Sequence, residues 1–259
     1  MWHTLQKQAF STLHHLGRVV ALVLLLQGTC LHAEELRVAV ASNFAPVLKQ
    51  LATNFEKTGN HKLLLSVGSS GNLYTQISNG APFDLFFSAD NERPEQLVAE
   101  KKAIAGTVKA YAMGKLVLWS PQLSLESQPE KVLQSSNFNH LAIANPKLAP
   151  YGLAARQVLE KMQLWQAIQP RLVLGENISQ TLQFIDSRNA ELGFIAESQW
   201  LELAPENRGK PWQVPVSLHD PIQQDMVIIR DGVAARALHG YLQSDEAKAI
   251  IKAAGYYLP

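Results

Sequence analysis

Cysteine is almost missing from the 259 residues: the single one, Cys30, lies in the N-terminal stretch. Loss of that stretch would leave no thiol, which excludes thiolate catalysis, cysteine metal sites and disulfides. Charge is sparse as well. Charged residues make up 17% of the chain and nearly cancel, 23 basic against 22 acidic, so there is no electrostatic footprint for nucleic acid and no polybasic arm. No histidine pair has metal-ligand spacing, and Gly68-Ser69-Ser70-Gly71 is not the Gly-x-Ser-x-Gly elbow of a serine hydrolase. Internal repeats and low-complexity tracts are also lacking.

What is present is apolar and long enough for two cores. Apolar residues reach 47%, which places the chain among globular proteins, and its length exceeds the usual single-core domain. The first 33 residues stand apart: Lys7, His14, His15 and Arg18 precede an apolar run at 19–26, and 27–33 turn polar and small before Glu34 and Glu35. That layout predicts a secretory signal peptide over 1–33, cut after Ala33. The run is far shorter than the roughly 20 apolar residues of a membrane-spanning helix. Gln27, Gly28 and Thr29 fit poorly before a lipid-bearing Cys30.

From Leu36 onward short apolar runs alternate with helical spacing, the rhythm of parallel strands joined by crossover helices, so the fold class is α/β. Strands are expected at 36–41, 63–67 and 83–88, then at 116–120, 141–144, 172–174, 192–196 and 226–229. Phe44, Val47, Leu48, Leu51 and Phe55 form one helical stripe, and 233–254 carries helical spacing throughout. The series divides into two lobes, one from 34–113 with 222–259 and one from 114–221. Connections near 113–115 and 218–224 leave a cleft between them that can hinge.

Four strand-to-helix junctions carry small polar residues or a tight turn: Ser42-Asn43, Gly68 to Gly71, Pro150-Tyr151-Gly152 and Asn177-Ile178-Ser179. In a parallel open sheet such junctions gather at the carboxyl ends of the strands, where ligands bind. Each helix start exposes unpaired N–H groups and the positive end of the helix dipole, so four of them make an anion site from neutral donors. Taken singly, Ser42, Asn43, Ser70 and Asn177 read as ordinary helix caps. Repetition is what points to a ligand.

Seven segments carry a family resemblance: VAVASNF (38–44), SVGSSGNLYTQI (66–77), GAPFDLFFSAD (80–90), GKLVLWS (114–120), IANPKLAPYGLAA (143–155), ELGFIA (191–196) and IIKAAGY (250–256). In order and spacing they resemble the periplasmic molybdate-binding proteins, the ModA family of type II periplasmic binding proteins. The resemblance implies two lobes, each a mostly parallel sheet flanked by helices, with the ligand cleft between them. It implies that Ser42, Asn43, Ser70, Tyr151 and Ile178 hold the oxyanion through hydroxyls and backbone N–H groups, Ile178 by its backbone only. It further implies molybdate or tungstate as ligand, the membrane permease of an ABC importer as partner, a periplasmic location, a monomer, and neither cofactor nor catalysis. At Ala196 some members have a tyrosine, so the phenol of Tyr151 is expected to supply the missing donor.

Protonation explains why such a site suits this ligand. Molybdate and tungstate are proton-free dianions at neutral pH, which only accept hydrogen bonds, whereas phosphate keeps a proton and is best read by a site with an acceptor. The one carboxylate at the junctions, Glu176, is expected to face away. Sulfate stays open as an alternative because only cavity size separates it. An organic anion would call for an arginine fork, and Arg156, a turn into its helix, is expected in solvent. A serine hydrolase using Ser69 or Ser70 is a remote reading, since His61, His140, His219 and His239 have no assignable partner. Tyr256 and Tyr257 resemble the paired tyrosines of iron-binding relatives but are expected to pack onto the first lobe.

Overall fold

A computed structural model describes residues 34–259 apart from Asn60 and Ser136. The signal peptide expected over 1–33, with Cys30, lies outside the described residues. The elements run β1 (Glu34–Ala41), α1 (Ala45–Thr58), β2 (His61–Gly68), α2 (Ser70–Ser78), β3 (Leu85–Phe87), α3 (Glu92–Ala99), β4 (Lys109–Gly114) and β5 (Leu116–Trp119). They continue with α4 (Pro129–Gln134), β6 (Leu141–Ala144), α5 (Pro150–Lys161), α6 (Trp165–Ile168), β7 (Leu172–Gly175), α7 (Ile178–Asp186), β8 (Leu192–Ala196) and α8 (Glu197–Glu202). The last are β9 (Trp212–Gln213), β10 (Ile222–Ile228), α9 (Val233–Tyr241) and α10 (Asp245–Ala253). None of the described helices is long and apolar enough to cross a membrane.

The strands form two five-stranded sheets of matching design, one ordered β2-β1-β3-β10-β4 and the other β7-β6-β8-β5-β9. In the first, β1 lies parallel to β2 and β3 while β10 runs antiparallel to β3 and β4. In the second, β6 lies parallel to β7 and β8 while β5 runs antiparallel to β8 and β9. The parallel strands explain the nearly continuous apolar runs: β3, β6 and β8 are buried along their whole length. The chain passes from the first sheet to the second across Lys115 and returns between β9 and β10.

Helix α1 packs the expected stripe, with Val47, Leu48, Leu51 and Phe55 buried and Pro46 in its first turn. Strand β3 is shorter than its apolar run because the Asp84 carboxylate takes the Arg37 N–H at 2.7 Å and the Arg230 guanidinium at 2.8 Å. The segment 233–254, expected to be helical, forms two helices. Ser244 breaks it by capping α10, its hydroxyl accepting from the Ala247 N–H at 3.2 Å. Strand β10 begins four residues earlier than its apolar stretch, in the polar run Ile222 to Asp225.

Candidate functional site

The four junctions converge on one cavity, lined by residues that include Ser42, Asn43, Ser70, Tyr151 and Ile178, all buried. Its accessible volume is small, about 10 Å³, the scale of a single sphere of water radius. The first sheet sends two starts, after β1 and β2, and the second sends two, after β6 and β7.

At each start the local turn leaves at least one N–H with no protein acceptor among the described residues, Ser69 N–H and Asn177 N–H being free beside those named below. After β1, Ser42 N–H is spent on Gly68 O at 2.9 Å and Phe44 N–H on Ala41 O at 2.9 Å, which leaves Asn43 N–H. At α2 the Ser69 hydroxyl caps Asn72 N–H at 3.4 Å and Gly71 N–H reaches Leu148 O at 2.8 Å, which leaves Ser70 N–H. Pro150 opens α5 without an N–H, and Gly152 and Leu153 both donate to Ala149 O, which leaves Tyr151 N–H. At α7 the Asn177 side chain takes Ser179 N–H and Gln180 N–H, both at 3.0 Å, which leaves Ile178 N–H. Caps thus sit at Ser69 and Asn177; Ser70 is the first helical residue, and Ser42 and Asn43 precede the uncapped start of α1. The expected caps at Ser42, Asn43 and Ser70 are corrected accordingly.

Two hydroxyls complete the donor set. Ser70 Oγ accepts from Ala89 N–H at 2.9 Å and Ser42 Oγ accepts from Ser179 N–H at 3.4 Å, so each keeps its own proton to give. Asp, Glu, Lys, Arg and His are all absent from the cavity lining. Glu176 is exposed, and Arg156 is engaged with Glu160 at 2.7 Å on the surface.

The phenol of Tyr151, expected as a donor to the anion, has a partner within the protein. It accepts from Gln224 Nε2 at 3.2 Å and abuts Gly114, and neither residue lines the cavity. Burial pushes its pKa well above the ordinary tyrosine value, so it stays neutral. Ala196, paired with Leu116 in the second sheet, does not line the cavity either. Tyr151 thus lines the cavity while its hydroxyl is hydrogen-bonded to Gln224.

Beyond the expected residues, a buried network joins the two halves behind the cavity. Asn43 Nδ2 donates to Gln224 Oε1 at 2.8 Å and to the Tyr256 hydroxyl at 3.1 Å, which in turn donates to Asn43 O at 2.9 Å and meets Ser198 Oγ at 3.0 Å. Tyr256 is buried, its pKa pushed up to about 12 by burial, while Tyr257 is exposed with Lys115 Nζ 3.9 Å from its ring centroid. At the front, Ser179 Oγ donates to Ser42 O at 3.4 Å and Arg93 reaches Lys147 O at 3.4 Å. Ser69 and Ser70 have no histidine partner, and no group of three His, Cys, Asp or Glu side chains forms a metal site among the described residues.

The family model for bacterial extracellular solute-binding protein matches residues 36–257. The molybdate-binding protein ModA of Azotobacter vinelandii is 46% identical over 93% of this chain and 96% of its own, and that of Rhodobacter capsulatus is 42% identical over 86% and 88%. The solved periplasmic molybdate-binding protein of Azotobacter vinelandii superposes with a TM-score of 0.82 at 41% identity, covering 86% of this chain and 99% of its own. The chain belongs to the bacterial extracellular solute-binding proteins and, within them, to the ModA family.

Proposed function

We propose that this chain captures a proton-free tetrahedral oxyanion, molybdate or tungstate, outside the cytoplasm and delivers it to the permease of an ABC importer. The observation that carries this reading is the donor set: four unpaired N–H groups at helix starts and two hydroxyls face one cavity with no carboxylate on its walls. Such a site rewards a ligand that only accepts hydrogen bonds, and the helix dipoles offset its charge without any formal cation. The relatives named as molybdate-binding support the choice among oxyanions. Ser42, Asn43, Ser70, Tyr151 and Ile178 are the proposed contacts, the last four through their N–H groups and Ser42 and Ser70 also through their hydroxyls.

The halves 34–113 with 222–259 and 114–221 act as lobes that close on the anion, since two of the four N–H donors come from each. Hydroxyls at Ser69 and Ser70 already engaged with backbone N–H groups favour capture over hydrolysis. No cofactor is needed for capture, and the working unit is a monomer. The leader at 1–33 would direct the chain to the periplasm.

Thermal melting tests the reading. A ligand that binds only the folded state stabilises it by about 2.7 kcal/mol at a hundredfold excess over its dissociation constant, which for a chain of this size raises the midpoint by roughly 5 to 10 °C. Molybdate and tungstate should give that shift and phosphate should not, with sulfate as the competitor that reports cavity size. Equal shifts with phosphate would overturn the protonation argument.

A further inference from the structure

Gln224 is fully buried in β10, in the sheet that sends the Asn43 start, yet its amide is shared between the two halves. Its Oε1 accepts from Asn43 Nδ2 at 2.8 Å and lies 3.1 Å from the Tyr111 hydroxyl, while its Nε2 donates to the Tyr151 hydroxyl at 3.2 Å. The Asn43 amide donor on the oxygen fixes which end of the Gln224 amide faces Tyr151, the single Tyr111 proton being shared with Ser88 O at 2.9 Å. Asn43 and Tyr151 each supply one of the four N–H donors, from opposite halves. One amide therefore holds the side chains of two proposed anion donors, one from each half.

Two further features of the backbone serve this contact. The ladder between β10 and β4 shifts between Gln224 and Asp225, opposite an extra residue, Tyr111, whose phenol is thereby turned toward the Gln224 amide. Gly114, at the end of β4, leaves the space the contact occupies: a Cβ there would lie 2.7 Å from Gln224 Nε2 and would collide with the Tyr151 hydroxyl. A buried amide in an apolar strand is costly unless it is hydrogen-bonded, and here both its oxygen and its nitrogen have partners.

We propose that Gln224 is a positioning residue for anion capture, which sets the spacing of the Asn43 and Tyr151 N–H groups in the closed protein. The proposal rests on the oxyanion reading of the cavity. Replacing Gln224 by leucine removes all three bonds at similar volume, and molybdate affinity should fall at least about tenfold. Gln224→Glu supplies a readout that a merely structural role would not move. While protonated, the carboxyl can donate to Tyr151 and accept from Asn43 as the amide does; once ionised it loses the donor and repels the dianion.

The groups around it are the phenols of Tyr111, Tyr151 and Tyr256, all raised by burial and neutral through the range, with Asp225, Asp90 and Glu197 beyond them in both proteins. Titration calorimetry with molybdate should give Gln224→Glu an affinity near that of the unmodified protein at about pH 6, falling at least about tenfold by about pH 8, relative to the unmodified protein at each pH. Variants that bind as the unmodified protein does at every pH would overturn the proposal alone. An unmodified protein that takes up no molybdate would overturn the reading beneath it as well. If the leucine variant does not fold, the glutamate profile decides, and a profile parallel to that of the unmodified protein refutes the proposal.

Discussion

Replacing Gly71 by alanine would put a methyl group where the two halves already touch. Its Cβ would lie 3.0 Å from both Cα and O of Leu148 and 3.3 Å from the Arg93 guanidinium. Ordinary contact begins about 0.4 Å farther out, and the nearest obstacles are backbone, so the halves must separate by about that amount. The bond from Gly71 N–H to Leu148 O, 2.8 Å here, would stretch to the edge of the hydrogen-bonding range. In the cavity, the Asn43 and Ser70 donors would draw away from those of Tyr151 and Ile178. Loss of one bond to a charged ligand is worth about 1.5 to 3 kcal/mol, so molybdate affinity should fall roughly tenfold to a hundredfold.

The unliganded protein should respond the other way. Gly71 sits in the first turn of α2 outside the left-handed region, so alanine fits its backbone and should stabilise the open state by up to about 1 kcal/mol. Titration calorimetry and melting of the unliganded variant separate the two effects. An affinity equal to that of the unmodified protein would refute the view that this contact limits closure.

Tyr151→Phe should weaken molybdate binding only about threefold to tenfold, because the phenol is engaged with Gln224. A hundredfold loss in calorimetry would put the hydroxyl on the anion after all. Asp225→Asn should raise the melting midpoint at neutral pH. Burial, with Gln223 opposing and Glu95 and Asp90 adding to it, raises the Asp225 pKa in the folded state, so its ionised form destabilises the fold above that pKa. The cost disappears as pH falls through the raised value, and the two melting curves should meet below about pH 4. A gain that persists in acid would assign the effect to packing.

Much of the fold is legible because its signals are local. The apolar runs at 141–144 and 192–196 coincide with β6 and β8, since a strand buried on both faces needs no alternation to be recognised. Strand β4, KAYAMG, was not expected: its small residues carry little strand preference, and it forms because β10 and the C-terminal Tyr257 pair with it. Strand β9 is two residues long and gives no periodicity at all. The break at Ser244 was hidden by apolar spacing that runs on across it, although a serine followed by Asp245 and Glu246 is itself a helix-start signal.

The cavity and the network behind it differ in the same way. A free N–H at a helix start follows from a few consecutive residues, as when Pro150 and the Ala149 carbonyl leave only Tyr151 N–H available, so the junctions could be found one at a time and their convergence inferred from strand order. The side chains of Asn43 and Gln224 meet across 181 positions within the first sheet's half, and those of Tyr151 and Gln224 across 73 between the halves, through contacts that exist only in the assembled fold. The chemistry of Tyr151 reads locally as a phenol able to reach an anion, whereas its bond to Gln224 is set by the assembled fold. Its N–H, which any residue but proline would carry, is free at the start of α5. This division predicts where substitutions are felt: side-chain changes at the four starts act on binding through the network and the hydroxyls of Ser42 and Ser70, whereas Ile178, which offers only its N–H, should tolerate another apolar residue of its own volume.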